Sequence, residues 1–446
     1  MYKRKIFKNK YYKHIDEVPN ISEVIPKITN NEYIEKHGFY PFIGTRIIYK
    51  KYSKDISAIT EKHWHPKIRD IKYASHLDSL IYQWYSHLLN EKYNKYCTDN
   101  GFSHCSVAYR TCFSGKSSIN FAKEFIDAIK KCNECYIIVS DFHQFFDKID
   151  HGILKNNINK VMEFSKMPDD WYKVYKSMTK YCYISKESIE KKLIEEKLET
   201  KKSLKSLTCY FQNISWKDAK SYFIEEIKEN INKNGYGIPQ GSPLSGIFSN
   251  MFMIDFDKKM NDYVKIHNGF YMRYCDDIAI VIPTNAVSNI EQIWDEVIKY
   301  KSELTGLEIN KQKTCCYIFR NNKIESLHSE LELFKESPDW VSYLGFTFDG
   351  KFVKFRDKTI IKYYYKFYHK IDRMKKHERI RLNKGKHRKS LIDKHMILKE
   401  LKVTGKSRRF SDYLRRAKKV FYGESYIQNF DKNTKNKLFN RFNNDK

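Results

Sequence analysis

No run of apolar residues in this 446-residue sequence approaches the roughly 18 to 20 needed to span a bilayer. The start, Met1 to Lys10, is cationic, but no apolar h-region follows it. From these two absences the expectation is a cytoplasmic protein with no membrane partner. Ten cysteines at irregular spacing give no disulfide framework. Cys132 and Cys135 form a CxxC, yet no second CxxC or HxxxH pair follows at finger-like spacing, so a four-ligand zinc site lacks its other half. Internal repeats, Gly/Ser tracts and Pro-rich linkers are also missing, which leaves changes of texture to mark the domains. Negative charge is in short supply: 54 Asp and Glu stand against 83 Lys and Arg, a formal net charge of +29.

What is present excludes a disordered chain, because hydrophobic residues make up 41% and aromatics 15%. The length suits two or three domains. A basic excess favours a polyanionic partner. Yet 67 of the cations are Lys, beside abundant Asn, Ile and Tyr, and an AT-rich genome yields that without selection for charge. Location separates the two explanations. From Lys351 to Lys446 there are 31 Lys and Arg against 9 Asp and Glu, or +22, so residues 1 to 350 carry 52 minus 45, only +7. Codon bias acts everywhere, whereas this charge sits at one end. A basic C-terminal domain facing a phosphate backbone is the expectation.

Along the chain, residues 60 to 130 read largely as helix, with Leu77, Ile81, Tyr85, Leu88 and Leu89 at helical spacing and a second stretch after Ser118. Tyr136 to Val139 is a strand-length β-branched run ending at Ser140-Asp141. Residues 152 to 234 return to charged helical texture, and Lys186 to Lys205 reads as a solvated helix or exposed insertion without chemistry. Gly235 to Gly246 is turn-rich and leads into a helix, with Ser242 suited to the N-cap and Pro243 to the first helical position. Leu244, Ile247, Phe248, Met251 and Ile254 share its core face. Two strands, Phe270 to Arg273 and Ile278 to Ile282, flank a tight turn in Tyr274-Cys275-Asp276-Asp277. A further helical piece covers Ile290 to Leu304. The class is α+β.

Adjacent aspartates at a strand-turn-strand tip repel each other, and divalent cations relieve that repulsion. Asp141, ending a separate strand, would complete a hard-oxygen site for two Mg²⁺, with Mn²⁺ as a substitute, about 3.5 to 4 Å apart. Such a pair steadies an attacking 3′-hydroxyl and a leaving pyrophosphate. Asp141, Asp276 and Asp277 are the candidates; the alternative for an Asp-Asp pair is solvated surface.

Five segments in order, Ser140 to His151, Gly237 to Ser249, Tyr274 to Asp277, Leu307 to Thr314 and Tyr343 to Gly350, closely resemble palm motifs A to E of reverse transcriptases. The resemblance implies a right-hand polymerase: fingers, palm and thumb, with a small antiparallel palm sheet packed on helices and a helical basic thumb. It divides the chain into fingers at 1–130, palm at 131–155, a helical insertion at 156–234, palm at 235–350 and thumb at 351–446. It implies RNA-directed DNA synthesis from dNTPs on a nucleic-acid template. The three aspartates and the Phe142 carbonyl would then hold metal. Phe146 matches the aromatic gate beneath the sugar, with ordinary core as its alternative and Phe145 beside it. Gln240 matches the motif B glutamine, and Lys313 the motif D lysine that serves as general acid. Lys67-Ile68-Arg69 resembles the fingers segment that grips the triphosphate, though Lys67 and Arg69 read equally as solvated cations.

Val107-Ala108-Tyr109-Arg110, Lys116 and Asn120-Phe121-Ala122 resemble the bacterial unknown-group or abortive-infection reverse transcriptases. Those are associated with anti-phage defence and with a structured noncoding RNA, which implies an RNA template partner, a DNA product and a bacterial cytoplasm. Arg110 and Lys116 become nucleic-acid contacts. In the thumb, Arg408, Arg409, Arg415 and Arg416 would bind phosphates, while Tyr363, Tyr364, Tyr365, Phe367 and Tyr368 either stack on bases or fill core. Retron enzymes fit less well, since Tyr343-Leu344-Gly345 stands where they carry Val-Thr-Gly and no NAxxH occurs. Group II intron enzymes fit less well because no HNH-like endonuclease follows. RNA-synthesising or untemplated nucleotidyl transfer and an idle RNA-binding scaffold stay open. Priming mode and oligomeric state are not legible.

Overall fold

The strand Cys135–His143 is the centre of the molecule. Its run Ile137-Ile138-Val139 is apolar on both faces because the sheet is covered on both sides. Ile138 and Phe142 enter one core with Ile278, Ile280 and the helices after motif B, while Cys135 and Ile137 enter another with Ala279, Val281 and Phe125. The computed structural model describes residues 6–52, 64–327, 337–382 and 410–443. In it the palm sheet runs Phe270–Tyr274, Asp277–Pro283, Cys135–His143, Cys315–Arg320, Lys323–Ser326, each neighbour antiparallel. A two-residue strand, Glu308–Ile309, pairs beyond it with Phe142 and His143. This is the α+β right-hand architecture expected from sequence.

One face of the sheet carries the helices His76–Asp99, Ser245–Phe252, Ile254–Ile266 and Ile290–Ser302. Each buried Leu, Ile or Phe there contributes about 1.5 to 3 kcal/mol relative to exposure. The helix after motif B starts at Ser245, two residues later than Pro243 would place it, and breaks at Met253 before the next begins. Ser242 caps a turn instead, accepting from the Leu244 N–H at 3.3 Å. The opposite face carries the helix Ser118–Lys131, a three-stranded sheet of Val341–Tyr343, Phe346–Phe348 and Val353–Phe355, and the helix Phe410–Val420. The last of these places Leu414, Ala417 and Phe421 against motif E. Val353–Phe355 therefore completes the motif E sheet, and the long thumb helix Asp357–Leu382 follows it.

Two readings need correction. Residues 64–73 are not helical: Trp64–Tyr73 is a strand, antiparallel to Phe42–Tyr52 with Ile43 opposite Tyr73. Apolar Ile68 is exposed on this hairpin, so no buried face betrays its period of two. The helical insertion 156–234 is not all helix, and Lys186 to Lys205 within it is not merely solvated surface. Tyr183–Ser185 joins the hairpin sheet in parallel beside Phe42–Gly44, and Ile184, Ile189, Leu193, Leu204, Tyr210 and Phe223 close a separate core with Ile15 and Ile43. No described helix is long and apolar enough to cross a membrane.

Candidate active site

Asp141 and Asp277 face each other in register on neighbouring strands. Tyr274 pairs with Asp277, so Cys275 and Asp276 form the two-residue loop between them. Cys275 takes a positive φ of 62°, the left-handed region such a loop demands and a non-glycine residue disfavours. Backbone bonds hold the pieces together: the Phe142 N–H donates to the Asp276 carbonyl at 3.1 Å, and the Asn310 N–H to the Asp141 carbonyl at 2.9 Å. The Ser140 and Thr314 hydroxyls, 2.7 Å apart and buried, tie motif A to motif D.

The electrostatics are those of a site short of positive charge. Burial, then Asp276, then Asp141 push the Asp277 carboxyl up to about 7, against opposing pulls from Lys313 and Arg356. Asp141 Oδ1 is buried with no hydrogen-bond partner, and its Oδ2 pairs with Lys313 Nζ. Acceptor-only oxygens left unpartnered beside further carboxylates suit hard divalent cations. Asp141, Asp276 and Asp277 would hold them, with the Phe142 carbonyl as an added donor; the Phe142 ring itself is core, against Phe145 and Phe256. As the side chains stand, no three His, Cys, Asp or Glu among the described residues are arranged to hold a metal ion. Lys313 rests on the aspartates instead, and among the described residues the Cys132–Cys135 pair has no further ligands.

The support beneath the loop was not legible as such. Arg273 and Asp257 are both 0% exposed in their side chains. Arg273 Nε donates to Asp257 Oδ1 at 2.8 Å, Nη2 reaches Oδ2 and the Ser106 hydroxyl, and Nη1 donates to the Cys275 carbonyl at 2.7 Å. The Tyr271 hydroxyl adds a bond to Asp257 Oδ1 at 2.7 Å. One buried guanidinium thus holds the strained turn that carries the aspartates. The sequence signal was an arginine inside the apolar strand Phe270–Tyr274, which demands a carboxylate partner without saying which.

Backbone contacts join motif A to motif B. Ile238 N–H donates to the Phe146 carbonyl at 2.9 Å, and Gly237 N–H to the Ile149 carbonyl at 2.8 Å. Phe145 is buried, while Phe146 is half-buried and packs against the same core and the Phe145 ring. The Gln240 carbonyl accepts from the Lys72 N–H at 2.8 Å, fastening motif B to the fingers hairpin. Gly241 has φ +128°, and a Cβ there would stand 2.8 Å from the Lys72 carbonyl oxygen. His151 Nε2 donates to the Gly237 carbonyl at 2.8 Å; burial keeps its pKa down and the ring neutral. Arg69 is exposed on the hairpin with its guanidinium 5.7 Å from the Tyr49 ring centroid. Lys67 lies on the same strand.

Arg110 is placed differently from expectation. It is 6% exposed and its guanidinium is used within the chain, by the Ser103 and Ser106 carbonyls, Asn94 Oδ1 and the Ser103 hydroxyl, between the Tyr93 and Phe113 rings. It braces the fingers and has no face for phosphate. Lys116 is exposed in an ion pair with Glu124 at 2.7 Å. Arg415 and Arg416 are exposed on Phe410–Val420, opposite the face that docks on motif E. Arg408 and Arg409 lie outside the described residues. Tyr363 packs on Phe410 at 4.3 Å between centroids at the edge of the core, Tyr364 stacks on Tyr368 at 5.9 Å, and Tyr365 is exposed.

The sequence family described as reverse transcriptase (RNA-dependent DNA polymerase) matches residues 34–348. This chain belongs to that family. Its members use divalent metal ions, in keeping with the carboxylate cluster. No curated protein sequence matches. Among solved structures, the chain is similar to the apo telomerase of Candida tropicalis truncated from its C-terminal domain, at 15% identity and TM-score 0.41, over 65% of this chain and 53% of that one. It is also similar to the Candida albicans telomerase in complex with the TWJ fragment of telomeric RNA, at 14% identity and TM-score 0.36, over 80% of this chain and 52% of that one. The chain therefore spans about half the length of these telomerases.

Proposed function

We propose that this reverse transcriptase is an RNA-directed DNA polymerase that extends a 3′-hydroxyl with dNTPs, using two Mg²⁺ at Asp141, Asp276 and Asp277, on a structured noncoding RNA in bacterial antiviral defence. The observation that carries the catalytic part is the register of Asp141 against Asp277 with Asp276 in the adjoining loop. Bound there, the cations supply Lewis-acid activation of the hydroxyl and charge neutralisation at the pyrophosphate. The chain's own residues do the rest. Lys313, already at Asp141, lies within reach to give a proton to the pyrophosphate. Phe146, fastened through its carbonyl to Ile238, presents a ring where a 2′-hydroxyl would sit. The RNA partner is supported by the +22 carried beyond residue 350 and by exposed Arg415 and Arg416, which suit backbone phosphates without base readout. The defence role is supported by the likeness of Val107 to Ala122 to the abortive-infection type.

The test is synthesis by the chain purified with its co-purifying RNA, given labelled dNTPs or NTPs with Mg²⁺, and sequencing of the product. DNA that matches the RNA, lost in Asp276→Asn with Asp277→Asn, is expected. Undiminished synthesis by the double variant would overturn the site, and equal use of NTPs by the intact chain would overturn the gate. Survival of phage infection with the chain present, abolished by the same pair of substitutions, tests the defence role.

A further inference from the structure

The segment from Cys105 to Arg110 runs beside the motif C strand: Arg273 N–H donates to the Cys105 carbonyl at 2.8 Å, and Val107 N–H to the Arg273 carbonyl at 3.0 Å. Its last arginine turns inward. Tyr109 goes the other way. Its φ of 62° is positive, a conformation that costs free energy in a non-glycine residue and persists only where the surroundings enforce it. Here they do so with two asparagines: Asn90 Nδ2 donates to the Tyr109 carbonyl at 2.7 Å, and Asn250 Nδ2 to the Ala108 carbonyl at 2.8 Å. The hydroxyl donates to Cys275 Sγ at 3.4 Å, in the loop that carries Asp276. One side of the ring lies on Gly246 of motif B so closely that a Cβ there would be 2.6 Å from Tyr109 Cγ.

The residue as a whole nonetheless remains 52% exposed. Strained backbone, dedicated clamps and a glycine that makes room would be a poor exchange for a half-wet aromatic if the purpose were packing alone. Its contacts place the side chain between Gly246 of motif B and Cys275, the neighbour of Asp276 in motif C. We propose that Tyr109 is a nucleic-acid contact, a platform on which the end of the template–primer duplex rests as the primer 3′-hydroxyl meets Asp276 and Asp277. The proposal rests on the polymerase reading above. Sequence-tolerant stacking on an aromatic face suits an enzyme that must accept every base in turn.

The experiment uses the full chain and an RNA template annealed to a DNA primer, with 2-aminopurine in the template opposite the primer end and no dNTP. Binding to the wild-type chain should quench the probe, and Tyr109→Phe should quench it equally. Tyr109→Leu should leave it bright and bind about tenfold more weakly, the loss of one base–aromatic stack. With dNTPs added, KM for template–primer should rise in Tyr109→Leu while KM for dNTP holds, a split that general loss of folding does not produce. Should Tyr109→Leu fail to fold, 5-iodouridine at the same template position, irradiated with the wild-type chain, should crosslink within the peptide bearing Tyr109. Normal quenching by folded Tyr109→Leu, or an adduct mapping elsewhere, overturns the proposal. A chain that binds and quenches yet makes no DNA overturns the polymerase reading and leaves this contact standing.

Discussion

Asp257 accepts from Arg273 at both carboxylate oxygens, with the Tyr271 hydroxyl as a third donor, and water reaches neither charged side chain. Removing one member of such a pair strands the other charge. Asp257→Asn should cost about 3 to 5 kcal/mol, read as a drop in urea midpoint at unchanged m-value. A loss under about 1 kcal/mol, the worth of an exposed pair, would show that the network is not holding the motif C turn.

Lys313 reaches Asp141 from motif D, across from the loop that carries Asp276. If it delivers a proton to the leaving pyrophosphate, Lys313→Ala should lower kcat by about 10²- to 10⁴-fold with little change in KM for dNTP. A rise in KM at constant kcat would recast it as a phosphate ligand.

Phe146→Ala removes the ring while leaving the carbonyl that Ile238 uses. The variant should incorporate ribonucleotides, narrowing the dNTP to NTP ratio of kcat/KM by about 10- to 200-fold, the range that shape alone sets in a pocket. An unchanged ratio would move the gate elsewhere.

At Gly241 the positive φ and the Lys72 carbonyl oxygen, 2.8 Å from any Cβ, both oppose a side chain. Gly241→Ala should push the fingers hairpin off motif B. Weaker dNTP binding with an almost unaltered melting temperature is the expected signature, because the contact joins two units that each have their own core.

His14 is buried, accepting from the Ile15 N–H at Nδ1 and donating from Nε2 to the Tyr73 carbonyl. Burial lowers its pKa from the ordinary 6.5 to about 3. Between those values the unfolded chain binds a proton that the folded chain refuses, so stability is full above pH 6.5 and falls as the pH drops toward 3. His14→Gln should flatten that part of the curve of unfolding free energy against pH. An unchanged slope would assign the acid loss to other groups.

The juxtaposition of the three aspartates was legible because its parts are local in sequence: a β-branched run ending in Asp141, and two adjacent aspartates at a tight turn between apolar strands. The periodicity that marks the His76–Asp99 helix was equally plain. The fingers hairpin was missed because its strands are bare on the outside, so no alternation of buried and exposed residues advertises them. Tyr183–Ser185 was missed for another reason, since three residues acquire a strand's identity only from a partner at Phe42–Gly44. Arg110 looked like a phosphate ligand because a sequence shows charge but not whether that charge has already been satisfied within the chain. The same limit hid Arg273 and Asp257, whose pairing is a property of tertiary contact.

The central strand Cys135–His143 bonds on one side to Asp277–Pro283 and on the other to Cys315–Arg320, and both partners come much later in the chain. During synthesis an isoleucine-rich strand must therefore emerge and wait with both edges open, while the helices of residues 151–229 are made. Pairings so distant form slowly, and an open apolar edge recruits other chains in the interval. Yield in the cell should thus depend on translation speed and chaperone supply as much as on the stability of the finished enzyme.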